Sequence, residues 1–318
     1  VFKRDWQGPR PRRTMANAHA GIPPSGELMS RVWSRWPWTA KSCVILTGLQ
    51  VVSCLAAHSC WQAGPVYRGT LEDEIQVFSM TRNALIIPMA LITLVFGFQV
   101  SEMCSSKPRQ RALAISRAPM LLFAVKICYY TMLSRGYGLA FQNQRSPDYR
   151  PIYVTRWIGW TYAIPTVLFM NLYPFMDSHP MLEVLIRIFP QLAASAAYCW
   201  TCGLGSVLYD PWMGWFLTVL GCVAYAAVIA DELVYLTEHI RTTSQPTLKG
   251  ASVFVKEVMF VVYTVIFLLG NIGFMSSYSC QLFYSVTDIS HLAVLSSLLF
   301  VYWNLDDPKL TATADHRD

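Results

Sequence analysis

Charge is what this sequence has least of. Lys, Arg, Asp and Glu together make up 14% of its 318 residues, and acids are the scarcer sign at 19 against 25 bases. Soluble domains average about a quarter charged residues, so the composition sets aside a freely soluble enzyme or carrier. Catalytic punctuation is missing too. There is no HExxH zinc helix, no Gly-rich phosphate loop and no GxSxG elbow, and no enzyme is expected. No repeat with a period of about 20–50 residues is present, which excludes solenoids and propellers. The nine cysteines show neither a secreted-type framework nor paired metal-ligand spacing. The CxxC at Cys199 and Cys202 has no second pair and no neighbouring His. These residues read as small buried hydrophobes, and no metal is expected.

What the sequence has is apolar length: 54% of the residues are hydrophobic, gathered in blocks of about 20, enough for a helix to cross the hydrocarbon core. Eight spans are expected, at 42–61, 82–103, 112–139, 152–174, 181–204, 211–236, 252–275 and 281–303. This makes an integral, multi-pass membrane protein. Eight crossings put the basic amino terminus, the loop with Lys107, Arg109 and Arg111, the loop with Arg241 and Lys249, and the tail with Lys309 and Arg317 on one face, as the positive-inside rule asks. In a seven-span alternative, residues 42–61 lie in the interface or belong to a targeting segment. Residues 1–41 form a basic arm without helical period, suited to drape over a partner or anionic lipid. Its Arg-rich, acid-poor start is also that of an organelle-targeting remnant, which points to a plastid or mitochondrial membrane. The basic residues serve topology, and no nucleic-acid partner is expected. A polar tail, residues 304–318, closes the chain.

Ionisable groups inside spans are costly and are functional suspects. The last span, "YSVTDISHLAVLSSLLFVYWN" (284–304), holds Asp288 and His291. Arg156 and Lys126 lie within the fourth and third. A lone carboxylate in hydrocarbon needs a cation or a proton, and Arg156 is the first candidate partner, Lys126 the second. His291, three residues after Asp288, shares its helix face and is either a hydrogen-bonded core residue or an axial ligand to a pigment magnesium or haem iron. Glu183 and Arg187, four apart, read as a pair on the fifth span.

The stretch "RGYGLAFQNQRSPDYRPIYVTRWIGWTYAIPTVLFMN" (135–171) resembles the second-to-third helix region of the microbial (type I) rhodopsins, whose third helix reads P-I-Y-x-x-R-Y-x-D-W with a Pro five residues on. Pro151, Ile152, Tyr153, Arg156, Trp160 and Pro165 stand in register. "DISHL" places Asp288 on the family's seventh-helix carboxylate, and Phe260, Tyr263 and Phe267 fall on aromatic positions of its sixth helix. The resemblance covers residues 80–303. It implies an all-α polytopic membrane bundle, seven-helix and microbial-rhodopsin-like, with an additional amino-terminal helix at 42–61. Enzyme-linked members of the family also carry such a helix.

The departures are as informative. The family's retinal Schiff-base lysine falls at Leu292, its third-helix counterion at Gly159, and the carboxyl donor of outward pumps at Met170. The resemblance then implies a lysine-less opsin without covalent retinal, in which Arg156, Trp160, Tyr263, Asp288, His291 and Lys126 are the remnant of the retinal site. The expected function is a photochemically inactive structural or accessory subunit of a larger membrane complex, with membrane lipids and other subunits as partners. The alternative is a noncovalent binder of lipid, carotenoid or chlorophyll, or a light-independent proton or ion transporter.

Overall fold

A computed structural model of the chain describes residue 30 and residues 32–60, 62, 64–103, 110–146, 149–176, 181–241 and 246–305. The chain divides into an amino-terminal unit, Val1–Arg35, and the bundle, Trp36–Asp318. Of the first unit only residue 30 and a short helical stretch at 32–35 are described, so most of the basic arm, and the tail beyond residue 305, lie outside the described residues.

Among the described residues the bundle has eight long helices: α1 (Trp38–Ser59), α2 (Glu72–Met103), α3 (Gln110–Ser134), α4 (Val154–Leu172), α5 (Met181–Val207), α6 (Pro211–His239), α7 (Pro246–Asn271) and α8 (Ser277–Leu305). Among the described residues, five are long and apolar enough to cross a membrane: Trp38–Ser59, Glu72–Leu94, Met181–Val207, Pro211–His239 and Pro246–Asn271. Outside that set stand α4 and α8, and of α3 only the shorter apolar stretch Pro119–Ser134. These three helices carry Arg156, Lys126 and Asp288.

Several span ends shift: α2 already begins at Glu72 rather than 82, α7 ends at Asn271 rather than 275, and the third and fourth spans give up residues to a sheet. The third was expected to run to 139, but α3 stops at Ser134 because Gly136 takes φ +75°, a left-handed value open to glycine at little cost. The amides of Gly136 and Tyr137 then close the turn on the carbonyls of Leu133 and Met132, each at 3.0 Å. The fourth was expected from 152, but Pro151–Tyr153 is a strand, and the helix begins at Val154. The released chain forms a small antiparallel sheet in the order β1 (Val66–Arg68), β2 (Leu139–Gln142), β3 (Pro151–Tyr153) at one end of the bundle. The Tyr153 hydroxyl donates to Glu74 Oε2 at 2.6 Å, and Ser277 Oγ donates to Oε1 at 2.6 Å. This ties the sheet to the starts of α2 and α8.

The additional helix α1 packs on α5 and α6. Its outward Ile45, Leu49, Val52 and Leu55 are exposed, as suits a lipid-facing surface. At its start the Trp36 indole donates to the Ile186 carbonyl at 3.1 Å, and Thr39 Oγ1 donates to Asp231 at 2.6 Å.

Candidate functional site

Helical spacing assembles the site. Lys126, Tyr129 and Tyr130 stand at i, i+3 and i+4 on α3, and Asp288, His291 and Leu292 repeat that spacing on α8, so each set shares a face. Helix α4 brings Arg156, Gly159 and Trp160, and α7 brings Phe260, Tyr263 and Phe267.

Asp288 is wholly buried and takes four donors. Lys126 Nζ reaches Oδ1 at 2.5 Å, joined there by the Tyr263 hydroxyl. The hydroxyls of Tyr129 and Tyr130 reach Oδ2 at 2.6 Å and 2.7 Å. The ion pair is therefore with Lys126. This reverses the order expected from sequence: Arg156 makes no hydrogen bond or salt bridge to Asp288, and its Nη1 donates instead to Gln281 Oε1. The guanidinium sits among aromatic rings, 4.9 Å from the centroid of Tyr284 and 5.6 Å from that of Phe78. With one amine and three phenols on it, the carboxylate has no lone pair left for a second cation.

Gly159 has a local reason. A Cβ there would come within 2.6 Å of the Tyr129 ring. The phenol that bonds Asp288 thus occupies the space a side chain at 159 would need.

Beside this network lies a cavity with about 620 Å³ of space unfilled by atoms, open mouth included. Trp157, Trp160, Tyr198, Phe260 and Phe267 make its apolar wall; Lys126, His291 and Leu292 also line it. His291 is 4% exposed and meets Phe260 edge to face at 5.5 Å. Its Nε2 has no hydrogen-bond partner among the described residues. Among the described residues no group of three or more His, Cys, Asp or Glu could hold a metal.

A second buried ionic centre was not singled out from sequence. Lys256 on α7 bonds Glu232 of α6 and lies 2.7 Å from Oε1 of Glu257. The preceding residue of α6, wholly buried Asp231, accepts from Arg187 at 3.0 Å and from Gln191 at 2.6 Å. Arg187 thus turns to α6 and also meets Glu238 at 3.5 Å, correcting the expected pairing with Glu183, which is exposed. A weak signal was available: Asp231–Glu232 and Lys256–Glu257 are adjacent charges within the expected spans 211–236 and 252–275, though close to their ends.

The model of the bacteriorhodopsin-like protein family matches residues 78–303. No curated protein matches the chain. Among solved structures, the transmembrane domain of a rhodopsin phosphodiesterase from Salpingoeca rosetta superposes with a TM-score of 0.58 at 13% identity, covering 82% of this chain and 98% of that one. The light-driven proton pump LR (Mac) from Leptosphaeria maculans gives 0.60 at 16% identity, covering 76% and 98%. Thermophilic rhodopsin from Rubrobacter xylanophilus gives 0.59 at 18%, covering 71% and 94%. At these identities the likeness is one of fold.

Proposed function

The chain belongs to the bacteriorhodopsin-like family, and from that premise we propose that it is a light-independent member whose bundle holds an apolar ligand noncovalently. The observation that carries this is the pairing of an open aromatic cavity with a closed polar centre. A Schiff base at position 292 has no amine to form on, since that residue is Leu. The one amine on the cavity wall, Lys126, is engaged by Asp288. Retinal in covalent linkage does not fit this donor set, whereas a lipid chain or a carotenoid-like pigment needs only the apolar wall. An accessory-subunit role rests on the basic arm, so the cavity is the stronger ground.

The test has two parts. Purified gently from its native membrane, the protein should carry an extractable apolar molecule, and Phe260→Trp, which narrows the cavity, should reduce its occupancy. Reconstitution with all-trans retinal followed by borohydride should leave no retinyl adduct. An adduct on Lys126, or a chain that retains no apolar molecule in any preparation, overturns the reading.

A further inference from the structure

We propose that Cys202 and Cys222 form a peroxide-sensitive dithiol whose oxidation to a disulfide staples α5 to α6. The CxxC of α5 is not itself the pair. Cys199 and Cys202 stand three apart on one helix, where Cβ atoms are about 5–6 Å from each other, beyond the roughly 3.5–4.5 Å that a disulfide spans. Cys202 has its partner on the neighbouring helix.

Glycine sets the place. Helices α5 and α6 meet closely at Gly205 and Gly214: a Cβ added to the first would come within 2.7 Å of the other's carbonyl oxygen, and one added to the second within 2.6 Å. One turn along, wholly buried Cys202 lays its sulfur on the backbone of α6. Its Sγ is 3.9 Å from the Thr218 carbonyl oxygen, and a Cβ at Gly221 would lie 2.6 Å from it. Cys222 follows Gly221 and stands one helical turn after Thr218, beside that sulfur. The two thiols are within hydrogen-bonding reach of each other, and both are free. Sulfurs in contact across so tight a crossing can join while the helices keep their positions.

Burial sets the order of the chemistry. Cys222 is only partly buried, so a small membrane-permeant peroxide reaches it first. The Cys222 sulfur attacks one peroxide oxygen; an S–O bond forms, the O–O bond breaks, and water leaves a sulfenic acid behind. The Cys202 sulfur then attacks the Cys222 sulfur. An S–S bond forms, the S–O bond breaks, and the departing hydroxide carries off the Cys202 proton as water. Two thiols are oxidised and one peroxide is reduced to two waters. Tyr198 and Tyr225, whose rings lie 5.0 Å apart on the wall of the apolar cavity, come from the same stretches of α5 and α6. The staple braces that wall from behind, whatever the cavity holds.

The full chain in detergent, reduced and then freed of reductant, is treated with hydrogen peroxide; remaining thiols are blocked after denaturation, and disulfides are mapped on non-reduced peptides by mass spectrometry. A Cys202–Cys222 cross-link that dithiothreitol reverses is expected, with a rise in melting temperature of about 4–8 °C. Cys199→Ser should keep both the cross-link and the rise. Cys222→Ser, a change at the less buried member of the pair, should abolish both. A parent whose Cys202 and Cys222 can still be blocked after peroxide overturns the proposal, as does one in which Cys222 stops at sulfinic acid or Cys202 is joined to Cys199. A cross-link that leaves melting unchanged, or a rise that persists in Cys222→Ser, overturns the staple.

Discussion

The two buried ionic centres are mirror images in charge. Around Asp288 stand one carboxylate, the ammonium of Lys126 and, beyond it, the guanidinium of Arg156. Around Lys256 stand one ammonium and two carboxylates, Glu232 and Glu257. Each is an ion pair plus one extra charge, but the extras differ chemically. A surplus carboxylate is neutralised by taking up a proton, whereas a surplus arginine cannot release one. The α6–α7 centre can balance itself. The Asp288 centre relies instead on hydrogen-bond saturation of the carboxylate and on aromatic rings around the guanidinium.

The largest effect is expected at Asp288. Asp288→Ala leaves Lys126 buried without its carboxylate and three phenols without their acceptor, and should cost about 3–5 kcal/mol in reversible unfolding in detergent. Asp288→Asn keeps some acceptors and should cost less. Replacing both partners, Lys126→Met with Asp288→Leu, should be milder than either single loss. If Asp288→Ala is near neutral, the carboxylate is not the hub that the four contacts describe.

Much of this hub was legible in the sequence because membrane depth makes charge conspicuous. Asp288, His291, Arg156 and Lys126 stand out within apolar runs, and helical spacing alone puts Asp288 and His291 on one face. Which cation pairs with Asp288 was not legible. It depends on how far α3 and α4 stand from α8, a tertiary distance, and Tyr129 and Tyr130, which consume the second carboxylate oxygen, carried no signal of their own. The end of α3 was not legible either, because it depends on Gly136 taking a positive φ, which a glycine permits but does not dictate. The α6–α7 centre was missed for a different reason: its charges are adjacent in sequence and near span ends, where exposure is the ordinary expectation.

A middle-sized effect tests the packing around the closed centre. Gly159→Asp restores the carboxylate of the family's counterion position but drives its Cβ into the Tyr129 ring, which approaches to 2.6 Å. Overpacking of this kind costs about 1–3 kcal/mol. Combined with Tyr129→Ala, the cost of the aspartate should shrink, because the obstructing ring is gone, and the shortfall from additivity measures the clash. If Gly159→Asp costs the same with and without Tyr129, the ring is not what keeps position 159 bare.

A smaller effect separates the mirror centres directly. Glu232→Gln removes the surplus acid next to Lys256 while leaving Glu257 as its partner, and keeps a side chain of the same shape. Oε1 of Glu232 has no partner to lose. The change should lie within about 1 kcal/mol of the parent, well below Asp288→Asn, although both replace a buried carboxylate by its amide. Equal costs at the two sites would mean that both centres depend on full ionisation, and the contrast between them would fail.

The smallest effect is expected at His291, which sits between the two centres with its ring against Phe260 and 6.2 Å from the Tyr263 ring centroid. A buried imidazole that donated or accepted at Nε2 would strand its partner on removal, at about 1–3 kcal/mol. No such partner exists here, so His291→Leu exchanges one cavity-lining side chain for another and should change unfolding by only about 0.5 kcal/mol. The same variant makes the cavity wall more apolar, and retention of an apolar ligand should be kept or increased. If His291→Leu destabilises strongly or empties the cavity, Nε2 has a partner in the working protein, and that partner is the ligand: the imidazole then belongs to the binding site as a polar anchor rather than to its wall.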